Sequence, residues 1–266
     1  MLSVIHTFHW FCNSARNRLR STPMGQVLQQ LRGGSRMKSL RIVSATRLTE
    51  AEFWSQSALG RSLKPWLVHS LISAEVRFEN RAGLPSVYNA QLLQDEADTP
   101  DVFMFVHDDV WLDDTQWPEK IRAAMGLFDV VGVAGNTRIS PNQPAWLFRS
   151  VENRQFIWDT EYLSGIVAHG QQPKGETSIY GQTPAPCELL DGVFLALRSS
   201  VARRSKLLFD ERFDFHFYDM DFCRSARRLG LRLGTWPIAL THQSGGSFGS
   251  SAWHAGYAHY LKKWRS

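Results

Sequence analysis

Val102-Phe103-Met104-Phe105-Val106-His107-Asp108-Asp109 is the stretch on which the reading of this chain turns. Five consecutive apolar residues show no alternation, so the strand they form must be covered on both faces, as in a parallel sheet. An imidazole and two carboxylates follow where that strand should end. Upstream, the pattern predicts a strand over 39–45 and a helix over 49–63, with Thr49 and Glu52 spaced as a capping box. A second strand lies within 67–78, and a helix over 85–97 is stopped by Thr99-Pro100. Downstream come a helix over 116–128 and a strand over 130–135. This alternation predicts an α/β fold, Rossmann-like, with a mostly parallel central sheet flanked by helices. In such sheets ligands sit beyond the carboxyl ends of the strands, so the polar residues after each strand are the ones to examine.

Further on, residues 140–186 are rich in Pro, Gly, Gln and Asn, and they read as a long insertion or irregular sheet. Strand character returns over 189–198. An aromatic-acidic loop over 213–221 leads to a helix over 222–229, a last strand over 231–240, a polar Gly/Ser loop over 241–247 and a closing helix over 253–264. No internal repeat is visible. Residues 1–37 differ from the rest and form an N-terminal extension, with residues 38–266 as the folded domain. The extension reads as a packing arm or as a peripheral membrane contact through residues 1–20. In the second case Phe8, Trp10 and Phe11 would sit among headgroups, with Arg16, Arg18 and Arg20 on anionic lipid.

The chain has 266 residues, of which 43% are hydrophobic and 21% charged, enough for a sizeable core and too apolar for disorder. Its net charge of +5 suits an anionic ligand or a membrane surface but is too diffuse to argue for nucleic acid. Three scattered cysteines without a CxxC point away from disulfides and structural zinc, toward a reducing compartment. No apolar run is long enough to span a bilayer. The expected location is cytoplasmic, at the inner face of the membrane if the extension binds it.

Four groups of residues could carry chemistry. His107, Asp108 and Asp109 at the mouth of a buried strand would bear unscreened like charge unless a divalent cation such as Mn²⁺ or Mg²⁺ sits among them. The alternative is a solvated turn in which the carboxylates bond nearby amides. Asp219 lies among Phe213, Phe215, Phe217 and Tyr218, where partial desolvation would raise its proton affinity and suit a general base. Asp221 stands where a helix cap is expected. His242 opens a loop of exposed amides and hydroxyls that could wrap a diphosphate and lend a nitrogen to its metal, or it is structural. Asp191 could accept from an acceptor hydroxyl or pair with an arginine, and Gly192 permits close approach of a ligand or another backbone.

The order of these features resembles the GT-A glycosyltransferases, in particular the bacterial family-2-like group. The resemblance runs over about 39–264 and rests on Asn80-Arg81-Ala82-Gly83, His107-Asp108-Asp109, Leu190-Asp191-Gly192-Val193-Phe194, Tyr218-Asp219-Met220-Asp221 and His242-Gln243-Ser244-Gly245-Gly246-Ser247. It implies a nucleotide-diphosphate-sugar donor, a Mn²⁺ or Mg²⁺ cofactor, and a glycan or lipid-linked acceptor, in cell-surface polysaccharide synthesis. The family's Asp-x-Asp motif falls on His107-Asp108-Asp109, with His107 in place of the first aspartate. Asp109, His107 and His242 would hold the metal. Thr46, Glu79, Asn80, Asn89, Asp108 and Asp109 would face the donor. Asp219 would be the catalytic base, helped by Asp191, while Asp191, Gly192, Tyr218 and Asp221 would face the acceptor. Tyr218 replaces the family's glutamate. Two rival readings are a non-catalytic sugar-nucleotide-binding subunit of the same fold and a sugar nucleotidyltransferase. The latter is disfavoured because Ser44-Ala45-Thr46-Arg47 lacks the glycines of a phosphate cradle.

Overall fold

A computed structural model describes residues 39–153, 155–245 and 248–265. The expected extension over 1–37 and its membrane contact lie outside those residues, as do Gly246 and Ser247 of the late polar loop. In chain order the first half comprises β1 (Leu40–Ala45), α1 (Glu50–Gln56), α2 (Ala58–Leu63), β2 (Ile72–Arg77), α3 (Leu84–Leu92), β3 (Val102–Val106), β4 (Val110–Leu112), α4 (Trp117–Ala124), β5 (Val130–Gly132) and β6 (Ala134–Asn136). The second half comprises β7 (Phe148–Glu152), β8 (Gln155–Trp158), β9 (Leu163–His169), β10 (Glu176–Gly181), β11 (Ala185–Cys187), β12 (Leu189–Leu190), β13 (Phe194–Arg198), α5 (Ser199–Ser205), α6 (Tyr218–Arg228), β14 (Leu233–Thr235), β15 (Leu240–His242) and α7 (Ser251–Trp264).

The central sheet has the order β11-β14-β5-β13-β3-β1-β2. Strands β1, β2, β3, β5 and β14 all point one way, and only β13 and β11 run against them. The expected α/β fold with a mostly parallel central sheet is therefore what the chain adopts. β3 lies in the middle, and all five of its residues are buried. Its two-sided apolar run was the correct signal, because a strand between two covered faces needs no polar side. Tyr88, Phe105, Phe209 and Phe222 pack in a row, with ring centroids 4.0–5.2 Å apart in successive pairs.

A second sheet has the order β12-β6-β9-β15-β4, with β10 added along β9. Several expected elements divide because the chain passes from one sheet to the other. The run 130–135 splits at Val133, 189–198 splits at Asp191–Val193, and 231–240 becomes β14 and β15 with Pro237 between them. Periodicity cannot see such a crossing, since both halves are apolar. The expected insertion over 140–186 is mostly sheet: the β7–β8 hairpin, then β9 and β10 paired antiparallel.

Helix boundaries also differ from expectation. The predicted helix over 49–63 is two helices broken at Ser57, whose extended backbone ends α1 and whose hydroxyl caps α2 by accepting from Gly60 N–H at 2.9 Å. The capping box of Thr49 and Glu52 forms as expected. α3 stops at Leu92, five residues short of the predicted end. α6 begins at Tyr218, four residues earlier than predicted, because Phe217 takes a left-handed backbone (φ 66°) that turns the chain into the helix.

Candidate active site

Each crossing between the sheets brings polar residues to the seam. β3 ends at Val106 and β4 begins at Val110, so His107, Asp108 and Asp109 span the gap. The return from β12 to β13 runs through Asp191, Gly192 and Val193, and the passage from β14 to β15 delivers His242. Backbone bonds stitch the crossings together. His107 N–H donates to Val193 O at 3.2 Å, Gln243 N–H to Asp109 O at 3.0 Å, and Asp191 N–H to Ala134 O at 2.9 Å. The backbone is thus paired where the ladders end, and the side chains are left to face the seam.

One polar atom of each of His107, Asp109 and His242 lies within 4.8 Å of the others. Asp109 Oδ2 is 3.2 Å from His242 Nε2, and the Ser244 hydroxyl is 2.9 Å from the same nitrogen. Asp109 Oδ1 is buried and has no hydrogen-bond partner. Burial works against the Asp109 charge, but the hydrogen bond and charge of His242 outweigh it and hold the carboxyl down to about 2. Burial likewise opposes a charged His242, yet Asp109 pulls its pKa above the ordinary value. His107 goes the other way, since burial dominates and favours the neutral ring. An ionised carboxylate with an unpartnered buried oxygen, beside imidazole nitrogens, is a donor set that fits a divalent cation.

Asp219 sits in the first turn of α6. Its Oδ2 accepts from Gly192 N–H at 3.0 Å and its Oδ1 from Met220 N–H at 2.8 Å. Burial and the charge of Asp191 push its pKa up to about 7, against the backbone bonds that favour the ionised form. A carboxylate poised near neutrality on a cavity wall is suited to accept a proton. Tyr218 is buried beside it, its hydroxyl donating to Gly192 O at 2.8 Å and lying 2.9 Å from His107 Nε2. Gly192 has a packing reason to be glycine: a Cβ there would fall 2.3 Å from the Tyr218 hydroxyl and 2.9 Å from Asp219 Cβ. The close neighbour is the start of α6.

His107, Asp191, Gly192, Tyr218, Asp219 and His242 line one cavity of about 210 Å³. Aromatic side chains close its other walls, among them Trp146, Tyr180, Phe215 and Trp253. His169 also faces this cavity and pairs in register with His242 across β9 and β15. His169, Trp146 and Tyr180 come from the stretch over 140–186, where sequence reading found no periodicity. β9 itself, Leu163–His169, does not alternate in burial, so periodicity gave no sign of it.

Of the residues expected to face a donor, Thr46, Asn80 and Asp108 line a neighbouring hollow with Arg47, Arg81 and Phe215. Phe215 belongs to both. Burial raises the Asp108 pKa, opposed by a hydrogen bond from Thr46. Glu79 is exposed in an adjoining groove that shares Asn80 and Arg81. The structure does not bring Asn89 to this group. Its amide nitrogen donates to Phe209 O and Glu211, and its oxygen accepts from Phe209 N–H, all at 2.9 Å. Asp221 is also away from the cavity, and it is no helix cap. It lies one turn inside α6, buried against Lys263 Nζ at 2.7 Å and Trp264 Nε1 at 2.8 Å, and ties α7 to α6.

A sequence profile described as "Glycosyltransferase like family" matches residues 65–245, a span that contains His107, Asp108, Asp109, Asp191, Gly192, Tyr218, Asp219 and His242 but not Thr46, Arg47 or Trp253. The chain belongs to the glycosyltransferase-like family. No curated protein is significantly similar to it in sequence. Among solved structures, GalNAc-T7 crystallised with UDP, GalNAc and Mn²⁺ aligns at 11% identity and TM-score 0.49, over 87% of this chain and 49% of that one. Staphylococcus aureus TarS aligns at 10% identity and TM-score 0.41, over 77% of this chain and 37% of that one. A197 from STIV aligns at 9% identity and TM-score 0.41, over 80% of this chain and 98% of that one. This chain therefore spans about half of GalNAc-T7 and less of TarS. No helix of the described residues is long and apolar enough to cross a membrane.

Proposed function

We propose that this glycosyltransferase-like protein moves a sugar from a nucleotide-diphosphate donor to an acceptor hydroxyl, with inversion at the anomeric carbon. The observation that carries this reading is the placement of Asp219 and of the His107 and His242 rings on the walls of one cavity. A proton acceptor and a cation-binding cluster are the two things such a transfer needs close together.

Asp109, His107 and His242 would hold Mn²⁺ or Mg²⁺. Bound there, the cation would neutralise charge on the departing nucleoside diphosphate. The hollow around Thr46, Asn80, Asp108, Arg47 and Arg81 would seat the nucleotide, with the arginines matching its phosphates. Asp219 takes the proton of the acceptor hydroxyl as that oxygen attacks the sugar. Gly192 and Met220 N–H hold the carboxylate in place while it does so. Asp191 keeps its proton affinity high. The aromatic walls suit a glycan or lipid-linked sugar, whose apolar faces stack on rings. The family's link to sugar transfer disfavours the nucleotidyltransferase alternative, and the raised proton affinity of Asp219 favours an enzyme over a binding subunit. Two free, buried cysteines, Cys187 and Cys223, suit a cytoplasmic setting.

Incubation with a panel of nucleotide-diphosphate sugars, Mn²⁺ and candidate acceptors, followed by proton NMR of the product, tests this. A product of inverted anomeric configuration is expected. A retained configuration would remove Asp219 from the role of base.

A further inference from the structure

The His107 ring lies between Phe215, whose ring is 5.7 Å away and inclined by 30°, and the buried Tyr218 hydroxyl, 2.9 Å from Nε2. That hydroxyl has one proton, and it is directed at Gly192 O, 2.8 Å away. A carbonyl cannot donate in return. The phenol oxygen is then left to accept from the imidazole, so the ring proton belongs on Nε2 and the lone pair on Nδ1. The reverse arrangement, with Tyr218 donating to Nε2, would strip the Gly192 carbonyl of this donor. It would also put the ring proton on Nδ1, leaving no nitrogen free to bind a cation.

We propose that Tyr218 is a positioning residue that holds His107 in the Nε2–H tautomer as a nitrogen ligand. The same pair then biases the site toward Mn²⁺ and other imidazole-tolerant divalent cations over Mg²⁺. This rests on the reading of His107, Asp109 and His242 as cation ligands. Mg²⁺ demands oxygen donors in near-octahedral array, and this cluster offers it one carboxylate and two imidazoles. Imidazole suits Fe²⁺, Co²⁺ and Zn²⁺ better, and Mn²⁺ accepts it alongside carboxylate. A ligating histidine needs its second nitrogen anchored, and here the anchor is a phenol itself fixed by a backbone carbonyl. The absence of a side chain at Gly192 is what admits that phenol, since a Cβ would lie 2.3 Å from its oxygen.

Two measurements on the full chain test the proposal. Long-range ¹H–¹⁵N NMR of the metal-free protein reads the His107 tautomer directly, and a proton on Nε2 is expected. Calorimetric titration with MnCl₂ and with MgCl₂, without nucleotide, compares the wild type with Tyr218→Phe, His107→Asp and Asp109→Ala. Tyr218→Phe should weaken Mn²⁺ binding by about 10–100-fold, the usual cost of losing a histidine's outer partner. His107→Asp should narrow the ratio of Mn²⁺ to Mg²⁺ affinity. A proton on Nδ1 overturns the proposal. So does Mn²⁺ affinity unchanged in Tyr218→Phe while Asp109→Ala abolishes it, an outcome that leaves the cation site standing. No Mn²⁺ binding by the wild type removes the site and the proposal together. If Tyr218→Phe does not fold, the wild-type tautomer decides.

Discussion

Asp219→Asn exposes the conflict between proton affinity and stability at this site. Burial and Asp191 raise the Asp219 pKa from 3.8 to about 7. A carboxyl whose pKa is higher in the folded state costs nothing while it is protonated in both states. Its cost grows as pH rises above the unfolded pKa near 4 and levels off above 7. Three units at about 1.36 kcal/mol each set a ceiling of about 4 kcal/mol. Roughly 1.5 kcal/mol of that is already spent at pH 5, so the wild type loses about 2–3 kcal/mol between pH 5 and pH 8. The carboxylate is partly open to the cavity, and water there trims the figure to about 2 kcal/mol. Asparagine does not titrate and escapes this loss. It has its own fixed cost, because its NH₂ must face either Gly192 N–H or Met220 N–H, a penalty of about 1–3 kcal/mol at every pH. The readout is therefore the slope with pH. Urea unfolding of both proteins at pH 5, 6, 7 and 8 should show the variant gaining about 2 kcal/mol on the wild type across that range. A difference that stays flat would mean that Asp219 titrates as an ordinary carboxyl, and the argument for it as a poised base would fail. Transfer by the variant should drop by about 10²–10⁴, and wild-type transfer should rise with pH to half its maximum near 7.

Three other outcomes follow from the packing. Gly192→Ala should destabilise the fold by about 1–3 kcal/mol and impair transfer, since its Cβ must displace Tyr218 or Asp219; thermal unfolding and donor turnover read both. Lys263→Met leaves the Asp221 carboxylate buried without its cation and should cost about 3 kcal/mol near pH 7 in urea unfolding. That cost should shrink as pH falls, because burial already raises the Asp221 pKa and loss of the lysine raises it further. Asn89→Ala should weaken stability by about 1–3 kcal/mol while leaving donor affinity intact, because its amide serves the Phe209 backbone.

The central strand, the α/β class and the polar clusters at strand ends were legible because each rests on a local pattern. Val102–Val106 has the pattern of a doubly covered strand, which places His107–Asp109 at its mouth. What escaped reading depends on contacts far apart in sequence. The crossings at Val133 and at Asp191–Val193 look like continuous strands until the second sheet is seen. Asp221 has the sequence context of a cap, but Lys263 and Trp264, some forty residues on, claim it. Asn89 is spent on a backbone about 120 residues away. His169 reaches the cavity only through the pairing of β9 with β15. The early start of α6 depends on a left-handed Phe217 that its side chain does not announce; its ring packs at 5.3–5.6 Å from Trp253, Tyr257 and Tyr260.

The central claim is that the seam between the sheets binds a nucleotide-diphosphate sugar through a cation held by Asp109 and its histidines. Thermal unfolding of the protein against a panel of such donors, with and without Mn²⁺, tests it most directly. Ligands that bind only the folded state stabilise it in proportion to the logarithm of their concentration over Kd. The account predicts that at least one donor raises Tm only with Mn²⁺ present, and that Asp109→Ala loses that rise while remaining folded. A well-folded wild type that no donor stabilises, with or without Mn²⁺, would contradict it.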